Sequence, residues 1–179
     1  MNFIRPNLAV SGFDGVRARE RFLSLGFDAQ LQCAEGFDRW VAECVEVKAL
    51  PFVDGAPIPA QTFAQSQAWL GGHWDLGHKI LISCAAGMSR SVAMTAALLA
   101  LKANVRFVDA IAEVMAKRPE ANPHPMVLAS AAAMCGQRLA LTDLREVYAL
   151  PPLPIRISWP ERLLREAIQE TQHLVGPER

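Results

Sequence analysis

Apolar and polar residues alternate along this chain in two rhythms, and the switches between them outline its elements. FIRPNLAVSG at the start reads as a short strand with a turn. Residues 16–25 follow a helical period, with Val16, Phe22, Leu23 and Leu25 near one face and Gly26 placed to end the helix. DAQLQCA and CVEVKALPF carry apolar or β-branched residues at alternate places and read as strands. VDGAPIPAQ is a Pro/Gly-rich loop, residues 62–70 read as helical, GGHWDLGH turns the chain, and KILISC is a compact apolar strand. A strongly helical apolar run over residues 89–103, SRSVAMTAALLALKA, comes next. The period returns over residues 107–117, before the breaker Pro119, and a third helix is expected over residues 126–139.

Strands interleaved with helices predict an α/β fold: a central, mainly parallel sheet flanked by helices. In such sheets ligands sit where strand C-termini hand over to helices. The tail is of another kind. PPLP at 151–154 is a stiff extended connector, and Ser158 with Glu161 three residues on forms a capping-box pattern for a last helix through Leu174. Leu163, Leu164, Ala167, Ile168 and Leu174 give that helix an apolar stripe, expected to dock on its own domain, with a dimer or partner contact as the alternative. The expected division is a main domain over 1–141 and a helical C-terminal extension over 142–179.

The bulk numbers narrow the class. With 179 residues the chain fits one domain with an appendage. Hydrophobic residues make up 51% and charged residues 20%, which is a globular composition. Eighteen basic and eighteen acidic side chains give no general reason to bind nucleic acid or membranes, so an anion site has to be local. MNFIRPNLAV has no basic region leading into a long apolar core, and no membrane-length apolar run occurs, so a cytoplasmic location is expected. Cys33, Cys44, Cys84 and Cys135 are scattered without CxxC pairs or zinc-ligand spacing, so free thiols and no metal are expected.

The chemistry concentrates in SCAAGMSRSV, residues 83–92. A strand ending at Cys84 and a helix starting near Ser89 leave a tight loop whose backbone N–H groups can converge on one point. The helix N-terminus behind it adds roughly half a positive charge and several unpaired donors, which suits an oxyanion. Gly87 frees the backbone, and Arg90 supplies a permanently charged planar fork matched to two phosphate oxygens. The same field is expected to lower the Cys84 thiol from about 8.5 into a range of roughly 3.5 to 7.5. A nucleotide site of the Walker type is excluded by the lack of GxxxxGK[ST].

CAAGMSRS resembles the CxxGxxR[ST] signature of the cysteine-dependent protein tyrosine phosphatase superfamily, and the chain's size and element order resemble its dual-specificity branch. IRPNLAVSG resembles that branch's opening strand and KRPEANPHPMVLASA its helix after the signature, so the likeness spans roughly residues 3–140. It implies phosphate monoester hydrolysis without cofactor or metal, on a phosphorylated protein or a small phosphate monoester; the final helix's apolar stripe leaves a monomer or a homodimer formed through it as the expectation. The resemblance places a proton donor about thirty residues before the cysteine, where VDGAPIPAQTF holds Asp54; Asp75 is the runner-up. Cys84 would attack phosphorus, and Ala85, Ala86, Gly87, Met88, Ser89 and Arg90 would hold the oxygens. Asp54 would protonate the departing oxygen, and the Ser91 hydroxyl would support the leaving thiolate. The family usually has His before the cysteine; Ser83 stands there, and its hydroxyl is expected to hydrogen-bond the loop backbone.

Variable loop positions Ala85, Ala86, Met88 and Ser89 are uncharged, which favours a phosphotyrosine, phosphoserine or phosphothreonine substrate over polyphosphorylated ones. Lys79, Arg106, Lys117 and Arg118 could bring charge from elsewhere, though solvated surface roles are the expectation for them. Trp69, His73, Trp74 and His78 are expected to pack a helix end on the sheet edge, with a substrate rim as the alternative. Asn122, His124 and Met126 are expected to be structural, with a loop that faces the site as the alternative. Three other readings stay open: a non-catalytic phosphate reader on the same fold, a rhodanese-type sulfurtransferase, and a phosphoinositide or small-ester phosphatase.

Overall fold

The computed structural model describes residues 1–149 and 159–175. The chain opens with a hairpin, β1 (Asn2–Arg5) turning at Pro6 and Asn7 into β2 (Leu8–Ser11). β3 (Ala29–Gln32), β4 (Glu46–Ala49) and β5 (Ile80–Ser83) complete one five-stranded sheet in the order β1-β2-β5-β3-β4. Only the β1–β2 pair is antiparallel; β2 with β5, β5 with β3 and β3 with β4 are parallel. The expected mainly parallel α/β sheet is therefore what forms, with β5, the strand that leads to Cys84, in its middle.

Alternation along β5 divides the core. Ile80 and Ile82 face a large cluster with α3 (Ala60–Asp75), α4 (Arg90–Ala103), α5 (Phe107–Lys117) and α6 (Pro125–Met134), while Leu81 faces a smaller one with Val16, Phe22, Phe27 and Val41. Every residue of α4 from Ser91 to Ala100 is buried, as a helix apolar on all sides must be. Its alanines let neighbouring helices approach closely, so this central helix holds Arg90 and Ser91 on a rigid support.

Several expected boundaries move. The helix anticipated over residues 16–25 is two short ones, α1 (Phe13–Arg17) and α2 (Arg19–Ser24), broken at Ala18, whose ψ of 74° is not helical. Gly26, with φ at 63°, ends α2 as expected. α3 runs through GGHWD to Asp75, so the chain turns only at Leu76 and Gly77, because packing of Leu70, Gly71 and His73 outweighs the glycines' low helix propensity. α6 stops at Met134 rather than Leu139, with Gly136 at φ 75° just beyond. A 3-10 turn (Arg39–Glu43) and α7 (Leu141–Ala149) are additional elements; α7 buries Leu144 and Val147.

α8 (Glu161–Thr171) buries Leu164, Ala167 and Thr171, and Ala167 joins Met126 and Ala129 in a small cluster against α6. The residue preceding α8 is Pro160, without a side-chain cap; the PPLP connector and the Ser158 half of the capping box lie outside the described residues.

Candidate active site

β5 delivers Cys84 to the C-terminal edge of the sheet, and the chain then curls through residues 85–89 into α4. Surrounding groups take the carbonyl of each curled residue. Phe13 N donates to Ala85 O at 2.9 Å, Asn122 N to Met88 O at 2.9 Å and Ala93 N to Ser89 O at 3.0 Å. Arg118 donates through Nη2 to Ala86 O at 3.0 Å and through Nε to Gly87 O. A trans peptide sets the N–H of residue i+1 opposite the C=O of residue i, and the described residues include no cis bond. Carbonyls tied outward at 85–89 therefore turn the amides of 86–90 inward. Among the described residues those amides meet no acceptor, so the loop is a ring of donors aimed at its own centre.

Gly87 is required twice over. Its φ of 68° lies in the left-handed region, and a Cβ there would sit 2.5 Å from Gly12 N and 2.7 Å from Arg118 Nη2. Gly12 is the other half of this contact: a Cβ on it would lie 2.7 Å from the Ala86 carbonyl.

Arg118 corrects a sequence expectation. It is 6% exposed and lies beneath the loop, with Nη1 also donating to Asn2 Oδ1 at 2.6 Å and with Glu120 at 3.9 Å. Burial pulls its guanidinium below the ordinary arginine range, while Glu120 and Cys84 act in the opposite sense. The residues that expose its role lie remote in sequence; the one local sign is Pro119, which ends the helix and sends the extended ANPHP segment back over the loop. Lys79, Arg106 and Lys117 are engaged elsewhere, on Leu25 O, Asp109 and Ile4 O.

Cys84, where β5 hands over to the loop, is 2% exposed, with Sγ 3.1 Å from Ser91 Oγ. Arg90 anchors Nη1 to the carbonyls of Phe52 (2.9 Å) and Cys33 (3.2 Å). Its Nε is buried without a hydrogen-bond partner among the described residues, 3.9 Å from Asp54 Oδ2. Asp54, half-exposed on the loop before α3, accepts at Oδ1 from Ser89 Oγ at 2.6 Å, and Ser89 Oγ accepts from His124 N at 3.0 Å. The expected residues thus converge on one site, and Asn122 and His124 border it, which is the alternative to their structural reading. A shallow groove of about 370 Å³ beside Arg90 is lined by Glu35, Pro51, Phe52 and Val53.

One expectation changes and two alternatives fall away. Ser83 makes no bond to the loop: its hydroxyl donates to Leu31 O at 3.2 Å and accepts from Gln30 Nε2 at 2.7 Å, inside the sheet. The side chain alternates onto the face opposite the loop, so it cannot reach it. Asp75 belongs to the other end of β5 and pairs with Lys102 at 2.6 Å, which removes it as a proton donor. At that end too, His73 Nδ1 meets His78 Nδ1 at 2.8 Å and Trp69 donates to Glu46 at 3.0 Å; the cluster packs a helix end and is no substrate rim. Among the described residues no group of His, Cys, Asp and Glu forms a cation cage, and no helix is long and apolar enough to cross a membrane.

Burial drives the Cys33 thiol well above its ordinary value and Cys135 to about 12. No protein-family model and no curated protein matches the chain. Solved structures do. A human tyrosine phosphatase-like serine/threonine/tyrosine-interacting protein aligns at 20% identity and a TM-score of 0.61, over 84% of this chain and 96% of that one. Human DUSP28 aligns at 19% and 0.64, over 82% and 94%, and DUSP15 at 17% and 0.67, over 83% and 95%. Sheet order, loop and helix together give this chain the fold of the dual-specificity branch of cysteine-dependent phosphatases.

Proposed function

We propose that the protein hydrolyses phosphate monoesters through a cysteinyl-phosphate intermediate. One observation carries this: the carbonyls of residues 85–89 are all bound, leaving inward amides, in a loop that begins at Cys84 and ends at a buried Arg90 whose Nε has no hydrogen-bond partner among the described residues. Such a ring holds three phosphoryl oxygens in place while sulfur stands below phosphorus.

In the first step the Cys84 thiolate donates an electron pair to phosphorus as the bond to the ester oxygen breaks, and Asp54 gives that oxygen a proton. Asp54 accepts from Ser89 Oγ at 2.6 Å and lies 3.9 Å from Arg90 Nε, which supports this role. In the second step ionised Asp54 takes a proton from water as its oxygen attacks phosphorus. The S–P bond breaks, and Ser91 Oγ, 3.1 Å from sulfur, donates to the returning thiolate. Arg90 and the amides carry the charge throughout.

The substrate class follows from what surrounds the ring. Apolar Pro51, Phe52 and Val53 suit the body of a phosphorylated side chain, and the Glu35 carboxylate opposes further anionic groups. This supports phosphotyrosine, phosphoserine or phosphothreonine over phosphoinositides, although a compared structure, PTPMT1, was solved in complex with PI(5)P.

The deciding experiment measures turnover of phosphotyrosine, phosphoserine and phosphoinositide substrates by the wild type, Cys84→Ser and Asp54→Ala. Cys84→Ser is expected to abolish turnover. Asp54→Ala should lose about 10²- to 10⁴-fold. Turnover that survives Cys84→Ser sinks the proposal, and absent turnover combined with tight phosphate binding points to a non-catalytic phosphate reader.

A further inference from the structure

The segment beyond residue 141 reaches the candidate acid without touching it. Trp159, just before α8, packs its indole against the His124 ring in a T-shaped pair, with centroids 4.8 Å apart and planes at 71°. Tyr148 on α7 donates from its hydroxyl to Pro123 O at 2.8 Å. Residues 122–124 are thus held from outside by two aromatic side chains of the extension. From inside, the same residues hold the site: Asn122 N binds Met88 O, and His124 N binds the Ser89 hydroxyl that in turn donates to Asp54.

The His124 ring also walls the Asp54 loop directly. A Cβ on Gly55 would lie 3.6 Å from His124 Nε2, an ordinary contact distance, so the ring borders the loop at about one side-chain carbon's reach. His124 Nδ1 accepts from Met126 N at 3.2 Å, which caps α6 and fixes the ring's orientation. Further along, Ile58 N donates to Ser130 Oγ at 3.0 Å and ties the loop's far end to α6. α8 grips that helix too, through Ala167 on Met126 and Ala129. Ring, helix and extension form one packed column behind the acid loop.

We infer that Trp159, acting through His124, is a positioning residue for Asp54, so the C-terminal extension sets the efficiency of proton donation to the leaving group. The inference rests on the proposed acid role of Asp54. Trp159 contributes through its ring contact: its Nε1 is buried without a partner among the described residues, so the contact depends on shape and not on a hydrogen bond.

The test compares wild type, Trp159→Ala, Trp159→Phe and His124→Asn on two esters, 4-nitrophenyl phosphate and phenyl phosphate, reading kcat/KM. A leaving group that departs readily needs little protonation; phenol needs it. Trp159→Ala is expected to lower kcat/KM on phenyl phosphate by about five- to tenfold, a fraction of the range a positioned acid supplies, with less than about a twofold change on the nitrophenyl ester. Trp159→Phe, which keeps an aromatic face, should restore most of the loss. His124→Asn, which keeps an α6-capping oxygen but removes the ring, should repeat the Trp159→Ala pattern. An equal fall on both esters, or none, overturns the inference.

A second readout needs no turnover. Hydrogen exchange of residues 53–58 should quicken in Trp159→Ala while that of β5 stays unchanged. Unchanged exchange over 53–58 defeats the inference on its own. Wild-type turnover that survives Cys84→Ser defeats the underlying proposal instead, which separates the two failures.

Discussion

Single side chains around the loop are held in place by neighbours that cannot be exchanged. Gly87→Ala would force a left-handed backbone on a residue with a Cβ and press it 2.5 Å from Gly12 N. A stability loss of about 1–3 kcal/mol is expected, with loss of phosphate binding, checked by urea unfolding and by calorimetry with phosphate. Arg118→Met would leave the Ala86 and Gly87 carbonyls without donors in a buried place, for about 2–3 kcal/mol, and should weaken oxyanion binding although Arg118 is not in the ring. The cysteines differ by environment. Burial keeps Cys33 and Cys135 protonated far above neutrality, so iodoacetamide at neutral pH followed by peptide mapping should leave both unmodified while the exposed Cys44 reacts.

At the scale of elements, the N-terminus of α6 carries a pH dependence. Burial lowers His124 below its ordinary value of 6.5, with Asp54 opposing. The unfolded chain therefore binds this proton more readily than the folded one. The stabilisation is complete above about pH 6.5 and is lost as the pH falls below it. Urea midpoints measured from pH 8 to 5 should decline, and His124→Asn should flatten that part of the decline. β5 gives a second element-scale expectation: Ser83→His inserts a ring where Gln30 already lies 2.7 Å from the hydroxyl, and overpacking of about 1–3 kcal/mol should follow. The family's usual histidine does not fit this sheet unless Gln30 changes with it. Much of this layer was legible in the sequence. Strand-turn-helix around CAAGMSRS, the Asp54 loop and the period of α5 each depend on neighbours in the chain. Arg118, the break at Ala18 and the reach of His124 were not, because each is settled by contacts to residues thirty or more positions away or by packing that overrides local propensity.

For the whole molecule, the donor ring is a product of distant parts. Its outer ties come from the start of α1, the end of α5, the segment before α6 and α4 itself, and the sheet that carries it is ordered only when β2, β3 and β5 have met. No sub-fragment contains those partners together, so the ring vanishes when the chain unfolds and an anion that binds it recognises the native state alone. Mass action then makes the site report on the integrity of the entire domain. At a hundredfold excess over its dissociation constant, inorganic phosphate or tungstate should raise resistance to heat by about 2.7 kcal/mol, and the gain should disappear in Arg118→Met long before that variant loses its secondary structure.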